Sequence, residues 1–195
     1  MKKRLHITYN SPTTLSFVLA SFIVTIIGLL TNGASTSLLF SVYGSSLLNP
    51  LTYLRMFTHI LGHSGFEHFI GNAMYLLLLG PMLEEKYGAK TLIKVMVITA
   101  FVTAIVHCVF WGNYALCGAS GFVFALILLS SFTAFKEGEI PMSFILVAVI
   151  FIGKEIYNGI FIQDSISNIT HIIGGIVGSI SGYALNKKSS KSWMV

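Results

Sequence analysis

Three short patterns in this 195-residue chain carry residue types that do chemistry. Residues 117–126, CGASGFVFAL, set one hydroxyl, Ser120, among Gly118, Ala119 and Gly121 at the mouth of an uncharged, bulky run. Residues 171–182, HIIGGIVGSISG, open on His171. In HFIGN, His68 and Asn72 stand at i and i+4, one turn apart on one face of a helix. A serine hydroxyl becomes a nucleophile when a base takes its proton, and a neutral imidazole titrates near working pH. His171 supplies that base if its helix lies against the helix that starts at Ser120. Attack on a carbonyl creates an oxyanion that needs preorganised donors. The His68 ring N–H, the Asn72 amide and the backbone N–H of Ser120 are of the right kind, and together they make an acyl-transfer site that needs no aspartate. The plain alternatives are close helix approach for Gly118–Gly121 and an interhelical hydrogen-bonded pair for His68 and Asn72.

The elements that must position these residues are membrane helices. Hydrophobic residues make up 54% of the chain and charged residues 10%, and the mean hydropathy is +0.81. Soluble domains carry roughly a quarter charged residues, so this composition belongs to an integral membrane protein. Apolar runs of ~20 residues are needed to cross ~30 Å of hydrocarbon. Six are expected, at about 13–31, 66–84, 90–111, 120–135, 140–161 and 168–186, within a single integral membrane domain, 1–195. Residues 32–65 form a long external loop whose apolar content packs it on or into the outer leaflet. Ser11-Pro12 reads as an N-cap and a proline at the first helical position. A signal peptide is disfavoured, because no A-x-A site follows the first apolar run.

The net charge of +5 comes from basic residues at the chain ends and in short loops. They orient a membrane protein rather than bind nucleic acid, and their asymmetry puts both termini in the cytoplasm. Lys2, Lys3, Arg4, Lys86, Lys90, Lys94, Lys136, Lys187, Lys188 and Lys191 fall on one side, with Arg55 and Lys154 near the other. The second, fourth and sixth spans then run in the same direction. Ser120 precedes Lys136 by sixteen residues, His171 precedes Lys187 by sixteen, and His68 precedes Glu84 by sixteen. At ~1.5 Å per residue this is ~24 Å, which puts all three several Å below the outer hydrocarbon boundary. Polar groups of this kind at one depth in a bilayer read as a functional site. Gly174, Gly178 and Gly182 recur every four residues and line a close-packed face beside His171.

Together these patterns resemble the rhomboid intramembrane serine proteases. Gly118-Ala119-Ser120-Gly121 matches that family's G-x-S-G, His68-x-x-x-Asn72 its H-x-x-x-N, and His171-x-x-Gly174-x-x-x-Gly178 its last-helix H-x-x-G-x-x-x-G. Asn168 and Ala125 also stand where the family often has Asn and Ala, and the similarity runs from about Leu51 to Asn186. The resemblance implies an all-α, six-transmembrane-helix bundle that cuts transmembrane protein substrates within the lipid bilayer. It implies a Ser–His dyad of Ser120 and His171, an oxyanion hole of His68, Asn72 and the Ser120 amide, and Gly118, Gly121, Asn168, Gly174 and Gly178 in support. It also implies that the fifth span and the loop after it gate the substrate, with Tyr157, Asn158 and Gly159 compatible with a mobile end. The family's Trp-Arg pair is here Leu54-Arg55, its tyrosine beneath the histidine is Phe124, and its alanine before the histidine is Thr170.

Other chemistries fit less well. His59 and His63 lack a third metal ligand, and HSGFEH is not H-E-x-x-H, so no metal or cofactor is expected. Asp164 is the only aspartate, which excludes an aspartyl dyad. Cys108 and Cys117 read as free thiols, His107 as interfacial, and Lys154 and Glu155 as snorkelling residues. Phe122, Phe124 and the last-helix glycines are expected to shape a modest pocket for small side chains. The expected location is multi-pass, in a bacterial inner (plasma) membrane. The alternative function is a catalytically silent rhomboid-like protein that binds transmembrane partners.

Overall fold

The computed structural model describes residues 7–134, 139–161 and 165–192. Lys2, Lys3, Arg4, Lys136 and Asp164, together with the side chains of Asn158, Lys187, Lys188 and Lys191, lie outside the described residues. The described chain is helical: α1 (Pro12–Leu30), α2 (Ala34–Leu39), α3 (Pro50–Thr58), α4 (Phe66–Tyr87), α5 (Ala89–Trp111), α6 (Ser120–Ser131), α7 (Met142–Phe161) and α8 (Ser165–Ser192). Its one β-type contact is an isolated antiparallel bridge between Val42 and Leu116. Of the helices, α1 and α5 are long and apolar enough to cross a membrane. Large apolar side chains face outward around the bundle, among them Leu78, Val109, Ile150 and Ile180.

The centre is α6. From Gly121 to Leu129 every residue but Phe124 is buried, as a helix apolar on all sides must be. It packs against α4, α5, α7 and most extensively α8. That contact explains the small residues: a methyl group on Gly174 or Gly178 would run into the carbonyls of Gly121 and Ala125. The two backbones therefore approach without intervening side chains. The α-helix stops at Ser131 and tightens into a 3₁₀ turn, Phe132–Ala134, short of the expected end near 135. Its twelve residues span only ~18 Å, less than the longer helices around it.

The start of α1 differs from the sequence expectation. Pro12 occupies the first turn, but the Ser11 hydroxyl is buried and makes no capping bond. The orphan amides are satisfied from α4: the Glu84 carboxylate accepts from the N–H of Thr13 at 2.8 Å and of Thr14 at 3.0 Å, and from the Thr14 hydroxyl. A carboxylate at a helix N-terminus also complements the helix dipole. The cap came from 70 residues away in sequence, which no local pattern reveals.

The segment between α1 and α4 is folded. Asn49 caps α3 by accepting from Leu51 N–H, with Pro50 at the first helical position. Arg55 is buried, donating from Nε to the Leu38 carbonyl at 2.8 Å and lying 4.5 Å over the Tyr43 ring. Thr58 bonds the Leu39 carbonyl. Val42 and Leu116 exchange both backbone hydrogen bonds, and Gly44 N–H donates to the Gly112 carbonyl. This clamp fixes the loop between α5 and α6, and so fixes where α6 begins.

Candidate active site

Ser120 is the first residue of α6, partly exposed, with Ala119 in the capping position making no side-chain cap. The first amides of a helix have no partner within it, and its N-terminus carries positive partial charge. The turn before it depends on Gly118, whose φ of +128° L side chains rarely adopt. Gly118 N–H donates to the His59 carbonyl at 3.0 Å, which ties this turn to the clamp below α3.

The conformation leaves room for two side chains from α4. A methyl group on Gly118 would lie 2.8 Å from His68 Nε2 and 3.8 Å from Asn72 Nδ2. His68 is held from its other side, with Nδ1 3.1 Å from the Ser64 hydroxyl, and the His63 ring meets it edge-on at 5.1 Å. Asn72 is buried and its Nδ2 has no hydrogen-bond partner, a donor left open beside Gly118. Buried polar groups are nearly always paired, so an open one calls for a reason.

From the opposite side α8 brings His171. Its ring stacks on Phe124, with centroids 4.3 Å apart and planes 5° from parallel. Phe124 stands one turn after Ser120, on the same helix face. Gly121 packs against Thr170 and Gly174, the residues on either side of His171 in its helix. His171 is therefore level with the first turn of α6. Asn168, three residues earlier, is buried with Nδ2 unpartnered.

His171 Nδ1 lies 2.9 Å from Oε2 of Glu155 on α7. The Glu155 side chain is 3% exposed, so it is not a snorkelling residue: it turns inward to the histidine, while Lys154 beside it is exposed. The sequence reading missed this partner because it treated the adjacent Lys154-Glu155 as one amphipathic pair. Successive helical residues point about 100° apart, so the two face different surroundings.

A cavity of about 190 Å³ opens between α6, α7 and α8, lined by Phe124, Phe151, Glu155, His171, Gly175 and Ile176 among others. Phe122 does not line it, contrary to expectation, because its ring packs edge-on against Phe17 of α1 at 5.9 Å. Gly174 and Gly178 are also spent on the α6 contact, and Gly175 is the glycine at the cavity wall. His107 is buried, with Nε2 2.9 Å from the Tyr114 carbonyl. His59 is buried too, with Nδ1 3.2 Å from the Arg55 carbonyl. Both cysteines are free thiols. Among the described residues no three His, Cys, Asp or Glu side chains group as metal ligands.

This arrangement gathers a hydroxyl at a helix N-terminus, an imidazole with a carboxylate behind it, and two side-chain donors beside a glycine turn. Residues 50–188 match the family model described as the Rhomboid domain. Rhomboid-related protein 1 of Caenorhabditis elegans is 26% identical over 140 residues, covering 67% of this chain and 39% of that protein. Rhomboid-related protein 2 of Mus musculus is 27% identical over 160 residues, covering 71% and 53%. The chain thus spans about half or less of the length of these relatives. With the family model covering the whole stretch from α3 to the last helix, this helical chain belongs to the rhomboid family.

Proposed function

We propose that this chain is an intramembrane serine endopeptidase that hydrolyses peptide bonds in or next to transmembrane segments of other proteins. The observation that carries the reading is the convergence on Gly118, where His68 Nε2 and the unpartnered Asn72 Nδ2 reach the turn that leads into Ser120. Ser120 Oγ attacks the scissile carbonyl while His171 Nε2 takes its proton. The oxyanion is held by Ser120 N–H, the Asn72 amide and His68 Nε2–H. The Ser64 hydroxyl, 3.1 Å from His68 Nδ1, is able to donate to it, which is the pairing that leaves the ring proton on Nε2. The imidazolium then gives its proton to the leaving amine, and a water attacks the acyl-enzyme by the same route in reverse.

The proposal includes the membrane setting: α1, α4, α5, α6, α7 and α8 as six spans of one domain, both termini cytoplasmic, with water reaching Ser120 from the external side. A substrate helix must unwind locally to present one peptide bond. The cavity beside His171 would take a residue of modest size next to that bond. Placement in a bacterial inner membrane is part of the proposal, and the two relatives named above are animal proteins. The mechanism calls on no cofactor.

The test is fluorophosphonate labelling of the purified protein in liposomes, beside Ser120→Ala and His171→Ala, with a generic transmembrane substrate cut in parallel. Labelling and cleavage in wild type, lost in both variants, is the expected result. A folded wild type that neither labels nor cleaves would overturn it and leave a catalytically silent protein that binds transmembrane partners.

A further inference from the structure

We propose that Glu155 is the positioning carboxylate of the catalytic histidine, which makes the site a Ser120–His171–Glu155 triad. The inference rests on the serine-protease reading for its kinetic consequences, but not for its geometry.

Three observations carry it. Glu155 Oε2 lies 2.9 Å from His171 Nδ1, a charge-assisted distance. The carboxylate is 3% exposed on a helix whose neighbouring positions Ile152 and Ile156 are apolar and outward, and a buried carboxylate of this kind persists when paired. The imidazole lies flat on Phe124, which holds its plane, and in that plane Nδ1 is directed at Glu155 of α7.

The chemistry follows from the donor inventory. An ionised carboxylate only accepts hydrogen bonds, so Nδ1 carries the ring proton and Nε2 keeps its lone pair for the serine hydroxyl. When Nε2 takes the serine proton, the carboxylate faces the new positive charge. Glu155 itself gains and loses no proton in the cycle. It acts through His171 and touches no substrate atom.

The pairing also joins α7 to the chemistry. This helix touches the rest of the described bundle mainly through α8 and α6, and it forms one wall of the cavity next to His171. Any outward displacement of α7 that widens the cavity draws the carboxylate off Nδ1.

The experiment compares wild type with E155Q, E155A and E155D, by steady-state cleavage of a transmembrane substrate and by ¹⁵N spectra of histidine-labelled protein in detergent. The His171 signals are assigned by their loss in H171Q. In wild type the proton is expected on Nδ1. In E155Q the side-chain amide donates to Nδ1 and moves the proton to Nε2. There kcat is expected to fall roughly 10²-fold, with KM within about twofold, and E155D to recover part of the loss. A merely structural contact predicts the reverse order, with the isosteric Gln the mildest change. A wild-type ring protonated on Nε2, or an E155Q variant with wild-type kcat, would overturn the proposal. If wild type is neither labelled nor active, the protease reading falls, and the ring spectrum alone still decides whether Glu155 sets the tautomer.

Discussion

The imidazole of His171 rests flat on the phenyl ring of Phe124, 4.3 Å away and within 5° of parallel. Phe124 in turn meets Phe151 of α7 edge-on at 5.4 Å, so the histidine stands on an aromatic platform shared by three helices. Aromatic pairs of this geometry contribute about 0.5–1.5 kcal/mol beyond burial. Phe124→Leu keeps apolar bulk and removes the platform. We expect the fluorophosphonate labelling rate to fall about tenfold, the rate equivalent of ~1.4 kcal/mol, while Phe124→Tyr stays within about twofold. A Leu variant labelled at the wild-type rate would show the stack to be incidental.

Asn72 separates catalysis from stability. Its Nδ2 is buried without a partner, so Asn72→Ala removes a donor that stabilises nothing in the resting fold. The expectation is an unchanged melting temperature with kcat lowered by about 10²–10³-fold, the usual cost of one oxyanion donor. If the variant cleaved substrate normally, Asn72 would have no part in the hole.

Gly118→Ala is expected to fail on both counts. The new methyl group meets His68 Nε2 at 2.8 Å and forces alanine to a φ of +128°. Both the melting temperature and the labelling rate should drop, and a neutral outcome would contradict the backbone described at this turn.

Glu84 tests the fold away from the site. Its carboxylate supplies the cap of α1, and losing a helix cap costs about 1–2 kcal/mol. Glu84→Ala should lower the melting temperature by roughly 2–8 °C for a chain of this size. Activity at saturating substrate should be preserved, because Glu84 lies sixteen residues along α4 from His68. A melting temperature equal to wild type would mean the amides of Thr13 and Thr14 find other partners.

Acid should destabilise the segment between α1 and α4. His59 and His63 lie in the segment between α1 and α4, and burial pushes both from 6.5 to about 4. Both stay neutral in the fold while the unfolded chain takes up protons first. The stability from keeping them neutral is therefore complete above pH 6.5. It is lost as pH falls toward 4, at about 1.4 kcal/mol per pH unit for each histidine. Melting temperatures between pH 7.5 and 4.5 check this. His63→Gln should roughly halve the slope, and a flat profile in wild type would refute the assignment.

Much of the site was readable from residue types at matching sequence spacing. Ser120, His68 and His171 stand sixteen residues before Lys136, Glu84 and Lys187, and the fold gathers the three around the first turn of α6. The same count applied to the fifth span leads from Glu139 to Glu155, yet the neighbouring Lys154 disguised it as a surface pair. Side-chain direction around a helix was the missing information. The glycine periodicity in α8 was legible as a contact face because backbone approach needs small residues on both partners, and Gly121 and Ala125 supply the other half. Asn49-Pro50 carried the start of α3 in plain view, a cap and a proline that went unread inside a long external segment. Glu84 at the head of α1 was not legible at all, since that cap depends on two helices meeting end to side.

The order of the helices along the chain has a consequence for biosynthesis. The proposed nucleophile sits on α6, its proposed carboxylate partner on α7 and its proposed base on α8, which leaves the ribosome after both. On this reading a nascent chain carries a serine and an oxyanion hole but no base until α8 has inserted against Gly121 and Ala125. On the same reading a chain without α8 is inert toward its neighbours in the membrane, and hydrolytic power arrives only when α8 packs against α6.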